Sequence, residues 1–221
     1  MPLKAIIFDM DGVLIDSEPI YSGLFEQFFE SLGIKADEAE RAEFAGINVK
    51  DASERIKRFH PSLNKTAAEI EESLHQVYCE SFQNLPPEFP LIDGVLFWIR
   101  EFRRAGLKIA VATSTYSDIA RSIIGHFGLF PYLDALATGG EVAKGKPAPD
   151  IYRLAASRLG VSPDECLAIE DSLNGILSAK AASMRCYAFS GTDTFHTDYS
   201  RADFVFSRYD RETLQKILSL I

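Results

Sequence analysis

The chain has 221 residues, 47% hydrophobic, 25% charged and 11% aromatic, which excludes a disordered, collagenous or coiled-coil protein. Its 23 basic residues against 32 acidic ones leave a net charge of −9. That balance argues against nucleic acid or an anionic membrane surface as the main partner, since both need basic stripes. The longest purely apolar run, Val95 to Ile99, is too short to span a bilayer. Asp9 and Asp11 fall where a secretory signal needs its apolar stretch, so no such signal and a cytoplasmic location are expected. Cys79, Cys166 and Cys186 show no CxxC spacing, so neither a disulfide framework nor a zinc site is expected. The length suits one large domain, or a domain with a smaller insert.

Residues 3–8 form a short apolar run with β-branched members that stops at Asp9, the pattern of a buried strand. Helical periodicity follows. Ile20, Leu24 and Phe28 recur every four residues, with Phe25, Phe29 and Leu32 beside them, and Gly33 ends the helix. Val49, Ala52, Ile56 and Phe59 make a second stripe. Thr66 and Glu69 form a capping box opening a third helix, with Ile70, Leu74, Val77, Tyr78 and Phe82 on one face. Pro86, Pro87 and Pro90 then resist both helix and strand, and predict a linker closing an all-helical insert.

From Gly94 onward strands and helices alternate. Helices are predicted over 95–105, 117–127, 150–159 and 173–182, with a last one from Asp210. Strands are predicted over 107–112, 134–138, 166–169, 185–189 and 203–206. Asp150 is read as the N-cap of its helix. Such alternation implies right-handed crossovers and a parallel sheet covered on both faces. The expected fold is an α/β, doubly wound, Rossmann-like core over residues 1–16 and 89–221, interrupted by a helical cap over 17–88. The cap residues hold 14 acids and seven bases, so most of the negative charge lies there.

In such sheets ligands bind beyond the carboxyl ends of the strands. That rule selects four segments: Asp9 to Gly12, Thr113 to Thr115, Lys144 to Pro147, and Glu170 to Ser172. Asp9 and Asp11 point to the same side of extended chain. With Asp171 they make an all-oxygen donor set that suits Mg²⁺ rather than zinc. Thr113 and Ser114 offer a hydroxyl and backbone N–H groups near a helix start, and Lys146 adds positive charge, together an anion cradle. Each acid alone reads as an ordinary turn or cap residue; four such segments at successive strand ends read as a site.

The stretches FDMDGVLIDSEP (8–19), ATST (112–115), KGKPAPDIY (144–152) and IEDSLNGI (169–176) resemble the four motifs of haloacid-dehalogenase-superfamily phosphohydrolases, in the branch containing β-phosphoglucomutase. The likeness runs over the whole chain, helical cap included. It implies that Asp9 is the nucleophile forming an aspartyl-phosphate and that Asp11 is the general acid and base. It further implies that Mg²⁺ is held by Asp9, the Asp11 carbonyl and Asp171 with Glu170 behind them, and that Thr113, Ser114 and Lys146 bind the phosphoryl group. Dehalogenases proper lack an acid at the Asp11 position, so dehalogenation is disfavoured. The resemblance points to a phosphatase of small phosphorylated metabolites, sugar or polyol phosphates first. Its rival is a phosphosugar mutase, disfavoured because such mutases carry His where Tyr21 stands and Arg where Val49 stands, although Lys50 next door could substitute for that Arg. A rival of another class is a non-catalytic phosphate-binding protein, against which the intact acid Asp11 argues. Phe44 to Asn48 resembles a cap loop that reaches the active site, making Gly46, Asn48 and Lys50 candidate substrate contacts. The bases Lys50, Arg55, Lys57, Arg58 and Lys65 also fit a solvated helix face. A monomer is expected. Cys166, Cys186 and Trp98 are read as core, and His60, His75, His126 and His196, which share no metal spacing, as surface or capping residues.

Overall fold

The structure, a computed structural model, describes residues 1–37, 40, 41, 44, 47, 49–83, 85, 89, 91–192 and 197–221. Gly46 and Asn48, with Ala45, Pro86, Pro87, Pro90 and His196, lie outside the described residues. The strands are β1 (Ala5–Phe8), β2 (Lys108–Thr113), β3 (Ala135–Thr138), β4 (Cys166–Glu170), β5 (Arg185–Phe189) and β6 (Phe204–Phe206). They form one sheet in the order β3-β2-β1-β4-β5-β6, and every pairing is parallel. The chain therefore reverses its winding direction beside β1, and the crevice at such a reversal is where α/β sheets bind ligands.

The helices among the described residues are α1 (Glu18–Ser31), α2 (Val49–Phe59), α3 (Ala67–Gln83), α4 (Val95–Arg104), α5 (Ser117–His126), α6 (Asp150–Leu159), α7 (Leu173–Ala181) and α8 (Arg211–Leu218). The period-two alternation of β1 sorts them into layers. Ile6 and Phe8 join the cluster formed by α4, α5 and α8, whereas Ala5 and Ile7 face Ile151, Tyr152 and Ala155 of α6 and Ile176 of α7. Ala110, Ala112, Ala168 and Ala188 supply that second face. Small side chains there let α6 and α7 approach the sheet closely, which fixes the start of each helix against a strand end.

Trp98, wholly buried in α4, packs 5.2 Å from Phe206 and 4.8 Å from Tyr209, and its indole N–H donates to the Asp210 carbonyl at 2.9 Å. Burial of that ring needs a partner for its one donor, and the turn before α8 provides it.

Helices α1, α2 and α3 form the insert between β1 and α4. Phe25, Phe29, Phe44 and Tyr78 make an aromatic knot with centroids 5.4–6.1 Å apart. The capping box at α3 forms as expected: Thr66 N–H donates to Glu69 Oε2 at 2.7 Å and Glu69 N–H to Thr66 Oγ1 at 3.2 Å. Two expectations need correction. Phe59, assigned to the buried stripe, is 40% exposed, because it is the last residue of α2 and leans on Phe44 only by its edge. Asp150 is the first helical residue of α6 rather than its cap; Pro149, with its fixed φ, holds the cap position instead. No helix of the described residues is long and apolar enough to cross a membrane.

Candidate active site

Strand register determines which residues meet. Phe8 pairs with Val111 on one side and Ile169 on the other, so Asp9 emerges level with Ala112 and Glu170. The Asp9 N–H still donates to the Ile169 carbonyl at 2.9 Å, which anchors the backbone just where the side chain leaves the sheet. Thr113 ends β2 one residue further along. Three strand ends thus deliver Asp9, Thr113 and Glu170 to one crevice.

Lys146 reaches this crevice from the loop before α6. Its Nζ donates to Asp9 Oδ1 at 2.6 Å and to Glu170 Oε1 at 2.5 Å, and its side chain is only 6% exposed. Glu170 is fully buried and spends both oxygens on fixed partners. Oε1 also accepts the Tyr152 hydroxyl at 2.8 Å, while Oε2 accepts the Asp171 N–H, the Ser172 N–H and the Ser172 hydroxyl at 3.1–3.2 Å. Glu170 therefore acts as the bracket that holds the lysine, and the Tyr152 ring lies 5.3 Å below the ammonium.

Asp11 is held from β2. Its Oδ2 accepts the Thr115 hydroxyl at 2.8 Å and, more weakly, the Thr113 hydroxyl at 3.4 Å. Thr113 Oγ1 in turn accepts the Thr115 N–H at 3.0 Å, so the turn after β2 is locked by its own side chains. The segment carrying Asp11 folds back on itself, with Gly12 N–H donating to the Ile15 carbonyl at 2.8 Å. Tyr209 and Thr192 hydroxyls pin it by donating to the Val13 and Gly12 carbonyls, each at 2.8 Å. Gly12 has φ +72°, and a Cβ there would stand 1.9 Å from Asp171 Oδ2, so glycine is needed both for the turn and for the carboxylate.

The electrostatics of the cluster are lopsided. Four carboxylates, Asp9, Asp11, Glu170 and Asp171, gather round one ammonium. Burial pushes the Asp9 carboxyl well up from its ordinary range; Lys146 pulls it back, and Glu170 and Asp11 push it further up. Asp171 is raised well above the carboxylate range by burial first, then by Glu170 and Asp9. Burial opposes the charge on Lys146, but Asp9 and Glu170 outweigh it and keep the ammonium above the usual lysine range. Oxygens of Asp9, Glu170 and Asp171 all lie within 4.8 Å of one another. An under-neutralised, all-oxygen trio of this kind fits a hard divalent cation.

Of the residues expected from sequence, Asp9, Asp11, Thr113, Ser114, Lys146, Glu170 and Asp171 all sit at this crevice or on the turns that rim it. Lys50 does not join them: it is exposed in the first turn of α2, and no hydrogen bond or ion pair links it to the cluster among the described residues. Two neighbouring bases serve local structure. Lys57 Nζ donates to the Pro61 and Leu63 carbonyls, and Lys65 to Ser73 Oγ. Sequence reasoning selected the segment that carries Thr115 without giving that residue a role, and it missed Tyr152. Thr115 carries a legible signal, a second hydroxyl two residues after Thr113. Tyr152 gives only the general one, that a phenol on a buried helix face needs a partner.

A crevice at the sheet reversal with two acids two residues apart and one buried lysine makes a site suited to binding and reacting with an anionic group. The sequence model for haloacid dehalogenase-like hydrolases matches residues 3–183. Protein CbbY of Cereibacter sphaeroides is 36% identical over 211 residues, covering 91% of this chain and 90% of that protein. Fructose-1-phosphate phosphatase YqaB of Escherichia coli is 32% identical over 182 residues, covering 81% of this chain and 92% of the relative. The crystal structure of a CbbY variant from Rhodobacter sphaeroides, in complex with xylulose-(1,5)bisphosphate, superposes with a TM-score of 0.80 at 32% identity, covering 94% and 95% of the two chains. The chain belongs to the haloacid dehalogenase-like hydrolases. It is an enzyme of the phosphatase kind.

Proposed function

We propose that this enzyme hydrolyses the phosphate ester of a small sugar or polyol phosphate through an aspartyl-phosphate on Asp9. The observation that carries the reading is the placement of Lys146 Nζ between Asp9 Oδ1 and Glu170 Oε1, at 2.6 and 2.5 Å, in a crevice shared with Asp11 and Asp171. A buried ammonium beside a carboxylate nucleophile lowers the repulsion that an anionic phosphoryl group would otherwise meet. An Asp9 oxygen attacks phosphorus, the ester P–O bond breaks, and Asp11 gives its proton to the leaving alkoxide. Asp11, now ionised, takes a proton from water, which attacks phosphorus and returns Asp9 as carboxylate with release of phosphate. The Thr115 hydroxyl keeps Asp11 aimed through both halves. Asp9, the Asp11 carbonyl and Asp171 would hold Mg²⁺, with Glu170 positioning from behind; the ion would neutralise charge on the transferring phosphoryl oxygens. Thr113, the last residue of β2, and Ser114 just after it would cradle those oxygens with Lys146.

The sugar-phosphate reading draws support from what the relatives' names state of those proteins. We assign substrate selection to the helical insert, residues 17–88, acting as a cap over a core of residues 1–16 and 89–221, with Gly46, Asn48 and Lys50 as its candidate substrate contacts. A mutase is less well supported, because Val49 is a buried apolar side chain that offers no cation to a second phosphate. The test is hydrolysis of an aryl phosphate and a panel of sugar and polyol phosphates with Mg²⁺. Wild type should turn over and Asp9→Asn should not; equal turnover by both would refute the assignment.

A further inference from the structure

A second donor cluster lies outside the crevice, on the seam between the insert and the sheet layer. Helix α3 presents Glu71, His75 and Cys79 at intervals of four, so they share one face. That face meets the first turn of α5. The Tyr116 hydroxyl donates to Glu71 Oε1, and the Tyr116 ring meets the His75 ring edge-on at 4.8 Å, which fixes the imidazole plane. One turn on, His75 Nε2 lies 3.1 Å from Asp118 Oδ2 and 3.4 Å from Cys79 Sγ, and Cys79 Sγ lies 3.1 Å from Asp118 Oδ2. Ser122 Oγ closes the seam by donating to the Phe82 carbonyl at 2.8 Å.

An imidazole nitrogen, a thiol sulfur and a carboxylate oxygen within 4.8 Å of one another form a mixed donor set unlike the oxygen-only trio of the crevice. Tetrahedral zinc with bonds of about 2.0–2.3 Å separates its donors by about 3.3–3.6 Å, so the trio needs to open by only a few tenths of an ångström. Softness selects the ion: thiolate and imidazole favour zinc over Mg²⁺. Side-chain exposures of 33% for His75 and 56% for Asp118 leave the trio reachable from solvent.

We propose that His75, Cys79 and Asp118 form a zinc-type cation site that latches the helical insert to the sheet layer and thereby slows turnover. Two of the donors belong to α3 of the insert and the third to α5, which starts two residues after Thr115 and its contact with Asp11. An ion bound by all three must be released, or lose a ligand, before the insert can swing away. The binding site stands by itself; its effect on turnover rests on the phosphatase reading above.

The test uses the full chain with Mg²⁺ present. Co²⁺ is titrated as the spectroscopic probe, and the expected result is one equivalent giving a thiolate-to-metal charge-transfer band. Cys79→Ser should lose that band, and His75→Gln should weaken Co²⁺ binding by at least about tenfold. Asp171→Asn, which disables the crevice, should keep the band, so this arm does not depend on activity. With saturating Mg²⁺, micromolar Zn²⁺ should lower wild-type turnover at least about fivefold, reversibly on chelation, and leave Cys79→Ser at its zinc-free rate. Absence of a thiolate band in the wild type overturns the site. Equal zinc inhibition of wild type and Cys79→Ser overturns the latch.

Discussion

Gly175→Ala sets helix propensity against the geometry of the site. Gly175 lies in the first turn of α7, where alanine is favoured by about 1 kcal/mol on propensity alone. A Cβ there would stand 1.8 Å from Glu170 Oε1 and 2.1 Å from Oε2, where ordinary contact begins at 3.4 Å. The carboxylate must therefore retreat by about 1.6 Å, the difference between those first and last distances. Such a shift breaks its bonds to Lys146 at 2.5 Å and Tyr152 at 2.8 Å. Two hydrogen bonds to a buried charge are worth about 1.5–3 kcal/mol each, so the net loss after the propensity gain is about 2–5 kcal/mol. Because Lys146 loses one of its two anchors, kcat on an aryl phosphate should also fall, by about 100-fold for a misplacement near 1 Å. Urea unfolding and steady-state kinetics measure the two effects. Gly23→Ala in α1 is the matched control: nothing lies within 4 Å of its Cβ, and it should stabilise by up to about 1 kcal/mol. Gly175→Ala with wild-type stability and kcat would refute the reading of Glu170 as a bracket.

Other perturbations test neighbouring parts. Thr115→Val removes the 2.8 Å bond to Asp11 and should cut kcat by about 10–100-fold with KM little changed, as a charge-directed hydrogen bond implies. Chelation of divalent ions should abolish hydrolysis, and added Mg²⁺ should restore it; full activity after exhaustive chelation would contradict the metal assignment. Arg158, followed by Thr138, holds the Glu141 carboxyl at about 2 against an ordinary 4.5. A carboxylate lowered on folding stabilises above its unfolded pKa, and that stabilisation fades as pH falls from about 4.5 towards 2. The pair is more than a third exposed, so the contribution is at most about 1 kcal/mol. The stability gap between wild type and Glu141→Gln, followed by urea unfolding, should close across that window; a gap independent of pH would contradict it.

The parts of the fold legible in the sequence are those with local causes. Apolar runs that stop abruptly at Asp9, Thr113 and Glu170 mark strand ends, and the parallel-sheet rule then brings those ends together. The resemblance to four ordered motifs adds the roles proposed for them. What stayed hidden depends on pairings across long stretches of chain. Nothing near Cys79 announces Asp118, 39 residues away, so cysteines without CxxC spacing and histidines without metal spacing read as inert. Tyr152 is similar: its helix was legible, but its grip on Glu170, 18 residues on, follows only from how α6 lies against β4. Phe59 shows the reverse error, since period alone cannot tell a helix's last turn from its middle. The acidic balance that argues against nucleic acid says nothing against a phosphate ester, because the charge at the crevice is set locally, by Lys146 together with the divalent cation proposed for the acidic trio.

The central claim, covalent catalysis by Asp9, is tested most directly by acid-quenching the enzyme during turnover of a phosphate-labelled substrate and locating the label by peptide mass spectrometry. The account predicts one phosphoryl group on the peptide that carries Asp9, accumulating further in Asp11→Asn, where hydrolysis of the intermediate is slowed. Steady turnover with no label on that peptide would contradict it.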